Sequence, residues 1–138
     1  MAPGRMLVVD DESAVLFAYK KVFQKPDMIV DAVESKAKGF RLLRKHIYDV
    51  AILDLQLAGD AREQGFELIK AIRSNWPKTR IMLITAHGNR EVQAKARSLG
   101  AEFCFEKPIS TRIIQEALRP VGTSVRKEEI SRAAGQNM

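Results

Sequence analysis

Short, uninterrupted apolar runs alternate with amphipathic stretches along most of the chain. Met6, Leu7, Val8 and Val9 run into Asp10 and Asp11. Val50, Ala51, Ile52 and Leu53 run into Asp54, and Ile81, Met82, Leu83 and Ile84 run into Thr85. A further run, Phe103, Cys104 and Phe105, leads to Lys107 and Pro108, and Met28–Val33 lies between the first two. Runs of this length with no polar alternation read as strands buried on both faces. Between them, apolar residues recur at helical spacing. The five stripes are Val15, Leu16, Tyr19, Val22 and Phe23; Phe40, Leu43 and Ile47; Phe66, Ile69, Ile72 and Trp76; Val92, Ala96 and Leu99; and Ile113, Ile114, Ala117 and Leu118.

Punctuation sharpens the boundaries. Pro26, Pro77 and Pro120 stop the first, third and fifth helices, since proline lacks the N–H a helix needs. Ser35 and Ser110 are N-cap residues for the second and fifth. His87, Gly88 and Asn89 open the fourth helix and Gly100 ends it. Residues 58–64 read as a polar loop before the third. Five strand–helix units therefore fill residues 5–120. Right-handed crossovers fold such a chain into a three-layer α/β sandwich around a parallel sheet. Residues 121–138 are polar, too short for a second domain, and read as a tail or the start of a linker.

Composition narrows the class. A chain of 138 residues with 46% hydrophobic residues fits one domain with a sizeable core. The net charge of +6 is spread over all the predicted helices. Its densest stretch, Lys36, Lys38, Arg41, Arg44 and Lys45, reads as a solvated helix face, with a docking patch for an acidic partner or nucleic acid as the alternative. A lone cysteine, Cys104, excludes an intramolecular disulfide framework, and with His46 and His87 it has no zinc-ligand spacing. No stretch is long and apolar enough to cross a bilayer, and the first residues lack the apolar centre of a signal peptide. A cytoplasmic protein is expected.

The chemistry gathers at the strand ends. In open parallel sheets, ligands bind beyond the carboxyl ends of the strands. Asp10, Asp11, Asp54, Thr85 and Lys107 follow the first, third, fourth and fifth strands. Taken singly, each has an ordinary role. Asp10 and Asp11 suit the first turn of a helix, Thr85 is β-branched, and Lys107 would be solvated in a turn. Together they bring three carboxylates, a hydroxyl and an ammonium to one edge. Clustered carboxylates repel unless a cation joins them, and hard oxygen donors select Mg²⁺ or a similar ion. A carboxylate so placed can attack a phosphoryl group to form an acyl phosphate, with cation, lysine and hydroxyl neutralising the phosphoryl oxygens.

The segments Leu7 to Glu12, Ala51 to Leu55, Leu83 to Ala86, Gly100 with Ala101, and Lys107 with Pro108 carry a resemblance. Over about residues 5–120 the chain resembles the receiver domain of two-component response regulators. The resemblance implies a flavodoxin-like sandwich, a five-stranded parallel sheet of order 2-1-3-4-5 with five helices, with residues 1–122 as the receiver and 123–138 as tail or linker. It implies Asp54 as phosphoacceptor, Thr85 as hydrogen-bond donor to the phosphoryl group and Lys107 as its ion-pair partner. It implies Mg²⁺ (or Mn²⁺) bound by Asp10, Asp11, Asp54 and the main-chain carbonyl of Gln56. The donor would be a sensor histidine kinase or histidine phosphotransfer protein. The output would be a downstream protein or fused domain reached through the fourth helix, fifth strand and fifth helix, with Arg90, Lys95, Arg97, Glu102 and Arg112 facing it. Such a protein is a switch with self-phosphorylation and self-dephosphorylation chemistry, not a turnover enzyme. It would be a monomer or a phosphorylation-promoted dimer, with no direct binding of nucleic acid and no membrane contact.

Three positions depart from the family's pattern. Cys104 stands where a switch aromatic is frequent, three residues before Lys107, and Phe103 and Phe105 should point to the opposite face. A small buried apolar role for Cys104 is expected, with a redox-sensing thiol as the alternative. The loop after Asp54 is long, with Gly65 eleven residues on and Ala58 in place of a frequent proline. By the resemblance, Gln56 and His87 occupy positions that flank the path of an attacking water and would tune phosphoryl lifetime, with a simple helix-start polar role as the other reading of His87. Two other classes compete. A haloacid-dehalogenase-like phosphatase resembles Asp-x-Asp at its nucleophile, where this chain has Asp54, Leu55, Gln56. A silent binding module would not need all five site residues.

Overall fold

A computed structural model describes residues 4–54, 61–86 and 90–119. Gln56, Ala58, His87 and residues 121–138 lie outside the described residues. The elements alternate strictly: β1 (Gly4–Val9), α1 (Ser13–Phe23), β2 (Met28–Val33), α2 (Lys36–Leu43), β3 (Val50–Asp54), α3 (Ala61–Asn75), β4 (Arg80–Thr85), α4 (Arg90–Leu99), β5 (Phe103–Glu106) and α5 (Thr111–Leu118). All strand pairs are parallel and the sheet order is β2-β1-β3-β4-β5, the flavodoxin-like order expected from the resemblance.

Alternation along the strands divides the core in two. Leu7, Val9, Ala51, Leu53, Ile81, Leu83 and Cys104 face α2, α3 and α4. Met6, Val8, Val50, Ile52, Met82, Ile84, Phe103 and Phe105 face α1 and α5. Every strand of the centre is thus apolar on both sides, which explains the unbroken runs. Each fully buried leucine or isoleucine contributes roughly 1.5–3 kcal/mol of burial free energy. Phe103 and Phe105 stack on each other, with ring centroids 5.5 Å apart, on the face away from Cys104.

The two serine caps are in place. Ser35 Oγ accepts from the Lys38 amide at 3.2 Å and Ser110 Oγ accepts from the Ile113 amide at 3.3 Å. Two expectations need correction. Ile47 does not belong to the apolar face of α2. The helix ends at Leu43, and Ile47 beyond it is 84% exposed. The Lys45 and His46 amides both return to the Leu42 carbonyl, which closes the helix before the stripe reaches Ile47. The segment read as a loop through Gln64 is helical from Ala61, so α3 begins four residues before Gly65.

Gly100 ends α4 with φ at 118°, a region that side chains other than glycine rarely adopt. Arg73 packs into the space a Cβ would take, its Nε 2.6 Å from that position. Arg73 donates from Nη1 to the Pro77 carbonyl at 2.5 Å and from Nη2 to those of Thr79 at 3.2 Å and Gly100 at 2.9 Å. Gly100→Ala is therefore expected to lower stability by about 1–3 kcal/mol. A urea-unfolding midpoint equal to that of the parent would contradict this account.

Candidate functional site

Four strand ends build one basin. The Asp10 amide donates to the Val33 carbonyl at 3.1 Å, which holds the chain in extended form one step past β1. Asp10 Oδ1 accepts from the Glu12 amide at 2.9 Å, so the same carboxylate turns the chain into α1. Its other oxygen is left to face the sheet edge. Asp54 is the last residue of β3, which pairs with both β1 and β4. Although both are carboxylates, Asp10 is only 4% exposed and Asp54 only 5%.

Lys107 explains how two such acids share this space. Its Nζ donates to Asp10 Oδ2 at 3.0 Å and to Asp54 Oδ2 at 3.3 Å, and lies 3.5 Å from Glu12 Oε1. The Lys107 amide donates to the Thr85 carbonyl at 2.8 Å, which ties the end of β5 to the end of β4 and aims the side chain across the basin. The Lys107–Pro108 peptide bond is cis. Burial alone would depress the ammonium's pKa. The hydrogen bond to Asp10 and the charges of Asp54 and Asp10 outweigh it, holding the pKa above the ordinary lysine range.

Asp10, Asp11, Glu12 and Asp54 each offer an oxygen within 4.8 Å of the others. Hard donors at this spacing fit a divalent cation. Of the residues expected at the site, Asp10, Asp11, Asp54 and Lys107 thus come together. Thr85 is fully buried at the end of β4, one step past the partner of Asp54 in the ladder. By strand alternation it faces the α3 and α4 side with Leu83 and Cys104. Gln56 and His87 lie outside the described residues.

Two residues join the site that the sequence reading had not placed there. Glu12 reaches Lys107, and its position directly after the acidic pair was the available signal. Tyr19, read only as part of a helix stripe, lines the same groove as Lys107. Burial pushes its hydroxyl up to about 12; the charge of Lys107 opposes the rise, and those of Asp10 and Asp54 add to it. Cys104 is 2% exposed, and burial pushes its thiol up to about 11, with Arg97 lowering and Glu106 raising it. At neutral pH it is a small buried protonated group, not a reactive thiolate.

The family model for the response regulator receiver domain matches residues 6–119. The chain belongs to that family. Receivers of two-component systems are signalling switches, not turnover enzymes, and no helix among the described residues is long and apolar enough to cross a membrane. The chain is 32% identical over 107 residues to the alginate biosynthesis transcriptional regulatory protein AlgB of Pseudomonas putida, covering 78% of this chain and 23% of that one. It is 24% identical over 119 residues to sporulation initiation phosphotransferase F of Bacillus subtilis, covering 86% and 94%. The chain therefore spans about a quarter of the alginate regulator's length. Among solved structures, a response regulator from Burkholderia pseudomallei with a phosphorylated aspartic acid shares the fold, with a TM-score of 0.80 at 21% identity over 98% of this chain and 75% of that one.

Removing the bridging charge should expose the strain between the acids. Lys107→Met is expected to cost about 1–3 kcal/mol at neutral pH, because it leaves two buried carboxylates facing each other. Lys107→Met combined with Asp10→Asn should lose less than Lys107→Met alone, and an equal loss in the two variants would contradict the origin assigned to it. Labelling of Cys104 by a thiol reagent should be slower in native than in unfolded protein by more than about 100-fold. Rapid labelling under native conditions would show that the thiol is accessible after all.

Proposed function

We propose that this receiver accepts a phosphoryl group on Asp54 from the phosphohistidine of a sensor kinase or phosphotransfer protein, and that the modified state alters a partner-binding surface. One observation carries the reading: a buried strand-end carboxylate is held by a lysine inside a cluster of further acids. A carboxylate oxygen of Asp54 attacks phosphorus, a P–O bond forms, and the bond to the donor imidazole nitrogen breaks. Lys107, kept cationic by its surroundings, pairs with the incoming phosphoryl oxygens in place of the Asp54 carboxylate. The Thr85 hydroxyl donates to the same group. Asp10, Asp11 and Asp54, with the main-chain carbonyl of Gln56, would hold Mg²⁺ (or Mn²⁺), which when bound neutralises charge on the acids and on the phosphoryl oxygens.

The donor reaches this basin beside an apolar groove of about 350 Å³ that borders Lys107 and is lined by Ala14, Val15, Ala18, Pro108 and Ile109. A groove of that character suits the helical, partly apolar surface of a phosphodonor. The phosphoryl group adds about 1.5–2 negative charges and three acceptor oxygens. Thr85 and Lys107 follow it and re-pack the neighbouring loops, so the output passes through α4, β5 and α5 to a downstream protein or a fused output domain. The protein acts in the cytoplasm without contacting nucleic acid or membrane itself, as a monomer or as a dimer promoted by phosphorylation.

Incubation with a small acyl phosphate and Mg²⁺ tests the reading. Mass spectrometry should show one phosphoryl adduct, absent in Asp54→Asn and without Mg²⁺. Continuous release of phosphate would favour a phosphatase, and no adduct in the parent protein would leave a silent module.

A further inference from the structure

The pole of the sheet opposite the acidic basin holds an open cleft of about 380 Å³, where the ends of α3 and α4 meet the start of β4. Its charged lining consists of Arg73, Lys78, Arg80 and Arg97 against Glu102 alone. Arg80 and Glu102 neutralise each other through a contact of 2.7 Å, and the other Arg80 nitrogens are spent on the Leu118 and Ala117 carbonyls. The charges of Arg73, Lys78 and Arg97 remain. Arg73 bonds only to carbonyls, so it is rigidly held yet has no carboxylate partner among the described residues. Lys78 and Arg97 are exposed, and among the described residues neither is in an ion pair.

The helix ends subtract from this charge. Each helix C-terminus carries about half a negative charge, so α3 and α4 together remove about one unit and leave about two positive. That balance matches a dianion. The lining contains no aromatic ring on which a base could stack, which disfavours single-stranded nucleic acid. Planar guanidinium groups beside an ammonium suit the oxygens of a phosphate.

We infer that this cleft binds a small phosphate dianion, either free phosphate or a phosphate monoester, with Arg73 as its fixed floor and Lys78 and Arg97 as its mobile clamps. The site is separate from Asp54 and does not depend on phosphorylation there.

Titration of the full chain with inorganic phosphate, and separately with glycerol phosphate, tests this by amide chemical shifts in the absence of divalent cations. Saturable shifts are expected at residues 73, 78, 97 and 100–102. Lys78→Ala combined with Arg97→Ala, both at exposed positions, should weaken binding at least about tenfold. Binding of the inorganic ion alone assigns free phosphate, and binding of the ester assigns a monoester site. Shifts confined to the surroundings of Lys107, affinity unchanged in the double variant, or no saturation below about 10 mM would overturn the proposal.

Discussion

Lys107 stands between Asp10 and Asp54, and the polar edge of the sheet depends on that one ammonium. Two unit charges no more than 4.8 Å apart repel by at least about 3.5 kcal/mol at an effective dielectric of about 20. Attractions at 3.0 and 3.3 Å together amount to about 10 kcal/mol on the same scale, so the lysine offsets the repulsion between the two buried acids. It does not neutralise the basin. Four carboxylates, those of Asp10, Asp11, Glu12 and Asp54, face one ammonium, and a formal charge of −3 remains. A dianionic group would meet a strongly repulsive site unless more positive charge entered with it. The same excess that makes the basin unfavourable for a bare phosphoryl group makes it favourable for a divalent cation.

The fold supplies this arrangement because parallel strands end on the same side. Asp10 follows β1, Asp54 closes β3, Thr85 closes β4 and Lys107 follows β5, and in the order β2-β1-β3-β4-β5 those four strands are neighbours. Their other ends gather the opposite character. The starts of β4 and β5 and the ends of α3 and α4 bring Arg73, Lys78, Arg80 and Arg97 together. An overall charge of +6, spread along the chain, is therefore locally uneven among the described residues, acidic at the basin and basic in the cleft.

Much of this was legible because the relevant signals are local. An apolar run ending in an acid marks both a strand and the pole at which its acid will lie. Ser35 and Ser110 mark helix starts through bonds to residues three positions on. What failed to show was set by long-range packing or by closure of a turn. The contact between Lys107 and Asp10 joins residues 97 positions apart, and Glu12 shares in it only because α1 begins beside the end of β5. Ile47 follows Leu43 at helical spacing, but the bonds back to the Leu42 carbonyl end the helix first, so periodicity alone misplaced it. Tyr19 fits the α1 stripe equally well as core or as part of a site; only its place beside Lys107 in one groove distinguishes the two.

Cys104 constrains how the phosphorylation proposed at Asp54 would reach the surface. Thr85 lies on the sheet face that carries Cys104 and α4, whereas Asp54 extends the alternation of Val50 and Ile52 toward α1 and α5. A thiol at position 104 is small, buried and without a ring to rotate between inside and outside. Movement of Thr85 would then be taken up by whatever packs over that face, and α3 and α4 are the elements nearest it. Under the phosphorylation proposed at Asp54, displacement of the helices over that face would stand in place of rotation of an aromatic side chain at position 104.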